Sequence, residues 1–367
     1  MSVLPQPLRT LWLNAEEELQ VINQIVLPHK IQVETLKTTE EVFWAIKNML
    51  VRGAPLIGAT AAYGIWLAAK AAPAADWKNS LAQADAYLRD SRPTAVNLFI
   101  CLDRMKTTWE QANNLAEAQS ACRQEADAIV EEDIEICFQI GQHGLKIIEE
   151  IAARKNGEPV QILTHCNAGM MGCIRWGTIS SPIYQALAKG IKLHVWVDET
   201  RPRNQGSKLT AWEFDQHGVP HSLIVDNAGG HLMQHQAVDM VLVGTDRTTR
   251  QGDVANKIGT YLKALAAKDN NIPFYVALPS TTIDWEIMDG LKEIPIEERD
   301  AEEVRFVDGL TPSGAYEKVR ICPENTPARN YGFDVTPARL VTGLITERGY
   351  CSASQEGLEA LFPEYKS

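Results

Sequence analysis

The stretch Val160-Gln-Ile-Leu163-Thr-His-Cys166-Asn-Ala-Gly169 decides how this chain is read. A short apolar, β-branched run followed by polar and small residues is the pattern of a buried strand that ends in a turn. About eighty residues further on, Met240-Val-Leu-Val243-Gly-Thr-Asp246 repeats it. Lys192 to Val197, Ser222 to Val225 and Phe274 to Leu278 have the same character, with helical patterns between them. That alternation predicts an α/β fold with a doubly wound, Rossmann-like parallel sheet. Open sheets of this kind bind ligands beyond the carboxyl ends of their strands, so Cys166 and Asp246 are expected on one rim as an acid/base pair.

The chain before this region reads differently. Strand-like residues from Arg9 to Glu34 precede Thr38-Thr-Glu-Glu41, a helix start with acidic residues in its first turn. Pro55 opens an Ala-rich helix reaching Ala72, Asp76 to Arg89 follows, and Glu117 to Arg154 has a long helical pattern. Two domains are therefore expected: a mainly helical one over residues 1–125 with short N-terminal strands, and the Rossmann-like one over 126–367, entered through the long helix.

Composition narrows the function. The net charge of −12 argues against a nucleic-acid-binding surface, which needs clustered Lys and Arg. No apolar run reaches the length of a membrane span, and the N-terminus lacks a signal-peptide pattern. The seven cysteines contain no C-x-x-C pair and lie mostly in apolar patterns, as reduced thiols of a cytoplasmic protein do. The turn after Leu163 lacks the G-x-G-x-x-G spacing of a dinucleotide fold, and there is no Walker A loop, so no nucleotide cofactor is expected. His165, Cys166 and Cys173 are close in sequence, but zinc needs three or four ligands and no second cluster completes the set. No metal is expected either.

Seven blocks carry a resemblance: Arg52-Gly-Ala-Pro55, Arg92-Pro-Thr-Ala-Val-Asn97, Thr164-His-Cys-Asn-Ala-Gly169, Glu199-Thr-Arg-Pro-Arg-Asn-Gln-Gly206, Leu209-Thr-Ala-Trp-Glu213, Gly252-Asp-Val-Ala-Asn-Lys257 and Phe333-Asp-Val-Thr-Pro337. In this order they resemble the methylthioribose-1-phosphate isomerase family. The resemblance implies a cofactor-free, homodimeric aldose-ketose isomerase of methionine salvage, acting on a small-molecule sugar phosphate. It implies Cys166 and Asp246 as the catalytic pair, and Arg52, Gly53, Ala54, Arg92, Gln205, Asn256 and Lys257 as the substrate-binding set. The same fold serves regulatory subunits of an initiation-factor exchange factor and a ribose-1,5-bisphosphate isomerase, so fold alone does not decide between catalysis and binding.

Physical roles can be assigned to these positions. The arginines offer planar forks for phosphate oxygens, Lys257 a point charge, and Gln205 and Asn256 a donor and an acceptor each for sugar hydroxyls. Asp246 is expected to be desolvated after its apolar strand and to protonate the ring oxygen. A helix start near Thr178, or Arg52, is expected to favour the Cys166 thiolate. Plainer readings stand beside these: Cys166 as a core thiol, Asp246 as a helix cap, Asn256 and Lys257 as the start of a helix, and His165 as an orienting residue. Trp66, Trp77 and Trp109 read as core or dimer surface. Met170-Met-Gly-Cys-Ile-Arg175-Trp176 departs from the small residues usual in the family and is expected to border the site, where it would reshape the pocket for the sugar's 5-substituent. Asn330-Tyr-Gly-Phe-Asp334 departs too, with a local turn change expected.

Overall fold

The computed structural model describes residues 8–92 and 96–366. The chain divides into two compact units. The first holds the residues up to Gly141 together with Ala168–Ser181 and Pro279–Thr282; the second holds Gln142–Asn167, Pro182–Leu278 and Ile283 onward.

In the first unit, β1 (Leu11–Leu13), β2 (Leu19–Ile22) and β3 (Val33–Leu36) form an antiparallel sheet. Four helices follow: α1 (Thr39–Lys47), α2 (Ala54–Ala71), α3 (Trp77–Arg89) and α4 (Val96–Glu110). At the start of α1 the Thr38 hydroxyl accepts from the Glu41 N–H while Glu41 reaches back to the Thr38 N–H, a capping box worth about 1 kcal/mol. Every residue of α2 from Leu56 to Leu67 is buried. A helix apolar on all sides must be central, and α1, α3 and α4 all pack on it. Trp66, Trp77 and Trp109 lie in this helical core. The fifth helix, α5 (Leu115–Arg154), runs unbroken for 40 residues. Both the boundary expected near residue 125 and the division at Gly141 fall within it.

The second unit is built on β4 (Val160–Thr164), β5 (Leu193–Asp198), β6 (His221–Ile224), β7 (Met240–Val243), β8 (Arg247–Thr249), β9 (Val254–Lys257), β10 (Phe274–Ala277), β11 (Ile283–Asp284), β12 (Phe306–Leu310), β13 (Tyr316–Arg320), β14 (Phe333–Thr336), β15 (Gly343–Thr346) and β16 (Gly349–Cys351). The main sheet has the order β16-β15-β10-β7-β4-β5-β6, parallel except for β16. Leaving out that edge strand, the order is the 3-2-1-4-5-6 arrangement of a doubly wound fold, with its switch point between β4 and β7. Among the helices of this unit are α6 (Ser180–Ala188, which begins at the end of the first unit's loop), α7 (Ala211–Gln216), α8 (Ala228–Gln234) and α9 (Thr260–Asp269). The core between sheet and helices is aliphatic, with Val241, Val243, Val276, Leu344 and Ala264 inaccessible to solvent. A smaller sheet, β11-β8-β9-β14, and the hairpin β12–β13 complete the unit.

Candidate active site

Cys166 follows β4 and Asp246 follows β7, the two neighbouring strands at the switch point, where Ile162 pairs with Met240 and Leu163 with Val241. Both side chains thus emerge from one end of the second unit's sheet. Cys166 has φ +67°, a left-handed backbone that a non-glycine residue adopts only when its surroundings over-determine it. Those surroundings are two threonines. The Cys166 N–H donates to the Thr200 hydroxyl at 2.9 Å, and the Thr210 hydroxyl donates to the Cys166 carbonyl at 2.8 Å. The next residue, Asn167, donates to Thr210 and to Glu213, whose side chain is wholly enclosed. Held on both sides of its peptide unit, this backbone fixes where the thiol points.

His165 is the second anchor. Its Nδ1 lies 2.8 Å from Asp198 and its Nε2 2.8 Å from the carbonyl of Ile258. The same Asp198 oxygen is 2.9 Å from the Lys263 ammonium, which also donates to the Asp226 carbonyl. The Asp226 carboxylate accepts from the N–H groups of Thr200 and Arg201, so the network closes on the threonine that holds Cys166. The ligand atoms of His165, Asp198 and Asp226 converge closely, and the Lys263 ammonium stands on the same Asp198 oxygen. Among the described residues one other set of three converges, Asp133, Cys137 and Cys173 in the first unit; it is buried and one donor short of a closed zinc site.

Asp246 is exposed, a correction to the desolvation expected from its position after an apolar strand. The apolar run ends at Val243, and Gly244-Thr245 carries the chain clear of the core before Asp246 is reached. Its N–H donates to the Ala255 carbonyl, which ties it to the strand that carries Asn256 and Lys257. These two are on β9, paired with Asp334 and Phe333 of β14, so they do not start a helix. Both are buried, and the Lys257 ammonium lies 5.0 Å from the centre of the Phe333 ring. Asp334 caps α9 instead, accepting from Gly259 and Tyr261; burial raises its carboxyl above the usual range against those two bonds. Gln205 is buried at the turn following β5, and its carbonyl oxygen has no hydrogen-bond partner among the described residues.

The remaining candidates lie in the first unit. Arg52, Gly53 and Ala54 form the entry to α2, all half-buried, and Arg92 follows α3. Pro93, Thr94 and Ala95 of the Arg92 block lie outside the described residues. Gly53 has φ +89°, and a Cβ there would stand 2.1 Å from the carbonyl oxygen of Gly172. The 170–176 loop is thus packed on the Arg52 segment, but Met170, Met171 and Ile174 are fully buried. Ile174 belongs to the helical core, and within the loop only Arg175 and Trp176 are partly open, the guanidinium stacked 5.0 Å from the indole. The helix expected near Thr178 begins at Ser180.

The sequence did not single out Thr200, Thr210, Asp198 and Lys263, which hold the Cys166 backbone and the His165 network. Thr200, Thr210 and Glu213 do lie inside two of the quoted blocks, and that was the available signal.

With this geometry in view, comparison with known proteins is direct. The initiation factor 2 subunit family matches residues 50–353. The methylthioribose-1-phosphate isomerase of Sinorhizobium medicae is 58% identical over 366 residues, 99% of this chain and 100% of that protein. The one from Desulfosudis oleivorans is 55% identical, covering 98% of each.

This chain belongs to the methylthioribose-1-phosphate isomerase family.

The solved structure of 5-methylthioribose 1-phosphate isomerase from Pyrococcus horikoshii superposes with a TM-score of 0.85 at 40% identity, over 97% of this chain and 96% of that one. A translation initiation factor eIF-2B delta subunit from A. fulgidus gives 0.82 at 37%, over 97% and 99%. Isomerase-family membership and the mixed α/β fold with its parallel sheet therefore rest on sequence and structure together. No helix among the described residues is long and apolar enough to cross a membrane.

Proposed function

We infer that this chain converts 5-methylthioribose 1-phosphate to 5-methylthioribulose 1-phosphate, as a cytoplasmic homodimer working without metal or nucleotide. The observation that carries the reading is the strained Cys166 at the β4–β7 switch point with Asp246 on the neighbouring strand end.

Phosphate on the anomeric oxygen blocks the free aldehyde, so the ring must open before hydrogen moves from C2 to C1. Asp246 protonates the ring oxygen; being exposed in the free chain, it loses water only as substrate covers it, and its affinity for a proton rises at that moment. Cys166 takes the C2 hydrogen as a proton, leaving an enol across C1 and C2, and returns a proton to C1, while the C2 hydroxyl gives its proton to the Asp246 carboxylate as the ketone forms. Arg52 and Arg92, with the backbone N–H groups of Gly53 and Ala54, carry the phosphate. Lys257 adds charge, and Asn256 and the unsatisfied oxygen of Gln205 receive sugar hydroxyls.

The test is NMR-monitored turnover by the wild type, Cys166→Ser and Asp246→Asn without added metal or nucleotide. The wild type is expected to turn over, and each variant to lose about 100-fold or more. With C2-deuterated substrate in ordinary water, the label is expected to wash out; full retention would replace proton transfer by a hydride shift. Turnover of only 5-deoxyribose 1-phosphate or ribose 1,5-bisphosphate would reassign the substrate. Inactivity on all three would favour a non-catalytic binding subunit, the role suggested by the eIF-2B relative.

A further inference from the structure

We propose that His165 is a positioning residue held as an imidazolium, a charged tie that keeps the thiol segment and the Asn256-Lys257 segment at one fixed separation. The inference deepens the isomerase reading and, for its kinetic part, rests on it.

The argument starts from hydrogen-bond inventory. A neutral imidazole has one N–H and one lone pair, so it can satisfy one acceptor and one donor. His165 meets two acceptors and no donor: a carboxylate oxygen of Asp198 at Nδ1 and the backbone carbonyl of Ile258 at Nε2, each at 2.8 Å. A neutral ring would set a lone pair against one of these oxygens in a site where the imidazole is 1% exposed and water cannot intervene. The doubly protonated ring satisfies both. Asp198 is equipped to hold that charge, since its carboxylate is fully buried and its second oxygen has no hydrogen-bond partner among the described residues. The groups facing the ring from the surrounding elements are Asp198 at the end of β5, Asp226 after β6 at 3.9 Å, Asp334 on β14 and Lys263 on α9. Three carboxyl groups against one ammonium leave room for a second cation.

The position of the tie gives it a function. His165 immediately precedes Cys166, and Ile258 immediately follows Lys257. One ring therefore links the β4 turn that presents the thiol to the end of β9 that presents the lysine. Through Asp198 it also reaches the β5 end, whose Thr200 fixes the Cys166 backbone. The ring is seated tightly: a Cβ on Gly259 would lie 3.0 Å from Nε2. Loss of the ring proton turns one of the two bonds into a repulsion and releases one segment from the other.

The first measurement needs no activity. In protein labelled with ¹⁵N-histidine, the His165 signals, assigned by subtraction of the His165→Gln spectrum, are expected to show both ring nitrogens protonated at pH 7.5. A neutral tautomer overturns the proposal. If His165→Gln does not fold, Gly259→Ala, which keeps every titratable group but displaces the ring, supplies the assignment by moving those signals alone. The kinetic measurement compares pH profiles. In Asp198→Asn the alkaline limb of kcat/KM is expected to move toward acid, because the ring loses the carboxylate that faces its Nδ1. Gly259→Ala is expected to lose about 100-fold in kcat/KM through misplacement of the thiol and lysine. A limb that stays in place, or an undiminished Gly259→Ala, would leave His165 a purely structural residue. Protonated nitrogens in a protein inert toward the sugar phosphate would preserve the tie and remove the isomerase reading instead.

Discussion

Asp133, on α5, has its carboxyl wholly enclosed, accepting from the Ile174 N–H at 3.2 Å and facing the Cys137 thiol. Burial pushes this acid up to about 7, against the two weaker contacts that lower it. A carboxyl held above its unfolded value binds its proton more tightly in the folded chain. It therefore adds stability that is fully present below about pH 4 and lost as pH rises through 7. Asp133→Asn keeps an acceptor for Ile174 and removes the titration. Its melting temperature is expected to exceed the wild type's at pH 8, the enclosed charge costing up to about 4 kcal/mol there, and to show no gain at pH 4. Equal differences at both pH values would mean that the carboxyl titrates normally. Nothing in the sequence exposes this residue, because the loop residue it bonds lies 41 positions away. Cys166 and Asp246 were legible for the opposite reason: each is announced by its own apolar run. The expected desolvation of Asp246 went too far, since three residues beyond β7 the chain has reached solvent, whereas the turn after β4 stays buried through Asn167. The threonine contacts and the two His165 bonds join positions 33 to 93 apart, which no local pattern encodes.

At the scale of elements, five of the seven strands of the main sheet, β4, β5, β6, β7 and β10, could be read within a residue or two from their apolar runs, whereas β15 and the antiparallel edge strand β16 were not read. The smaller β8–β9–β14 sheet was not read, and its residues show why: Arg247-Thr-Thr249 and Val254-Ala-Asn-Lys257 carry polar side chains where an apolar run would announce a buried strand. The entry to α2 shows an element fixed by close approach. Gly53 combines φ +89° with a Cβ position 2.1 Å from the Gly172 carbonyl, a backbone atom that cannot rotate away. Gly53→Ala must shift the helix start or the 170–172 turn, at a cost of about 2–4 kcal/mol. Thermal unfolding is expected to show it as a drop of several degrees, with a raised KM as the Arg52 segment moves. A Gly53→Ala variant as stable as the wild type would show that the two segments can part without cost.

Taken as a whole, the molecule separates its thiols by depth, and that separation can be read chemically. All seven cysteines are thiols; Cys322 is half-buried and the other six are buried. Burial pushes Cys101 and Cys122 up to about 12 and Cys351 to about 11, leaving almost no thiolate at neutral pH. Cys137 and Cys173 sit with Asp133 in the helical core. Cys166 is enclosed to a similar degree, at 9% exposure, but among the cysteines it alone follows a parallel strand of the main sheet and has a left-handed backbone. Native protein treated with an aromatic disulfide reagent at pH 8 is therefore expected to release thiol in two steps, Cys322 first and Cys166 more slowly, with the other five appearing only in denaturant. Sugar phosphate should protect the slow step alone, and Cys166→Ser should abolish it. A slow step that survives Cys166→Ser would mean that a core thiol is being reached by opening of the fold, and that the depth of Cys166 does not distinguish it from a structural cysteine.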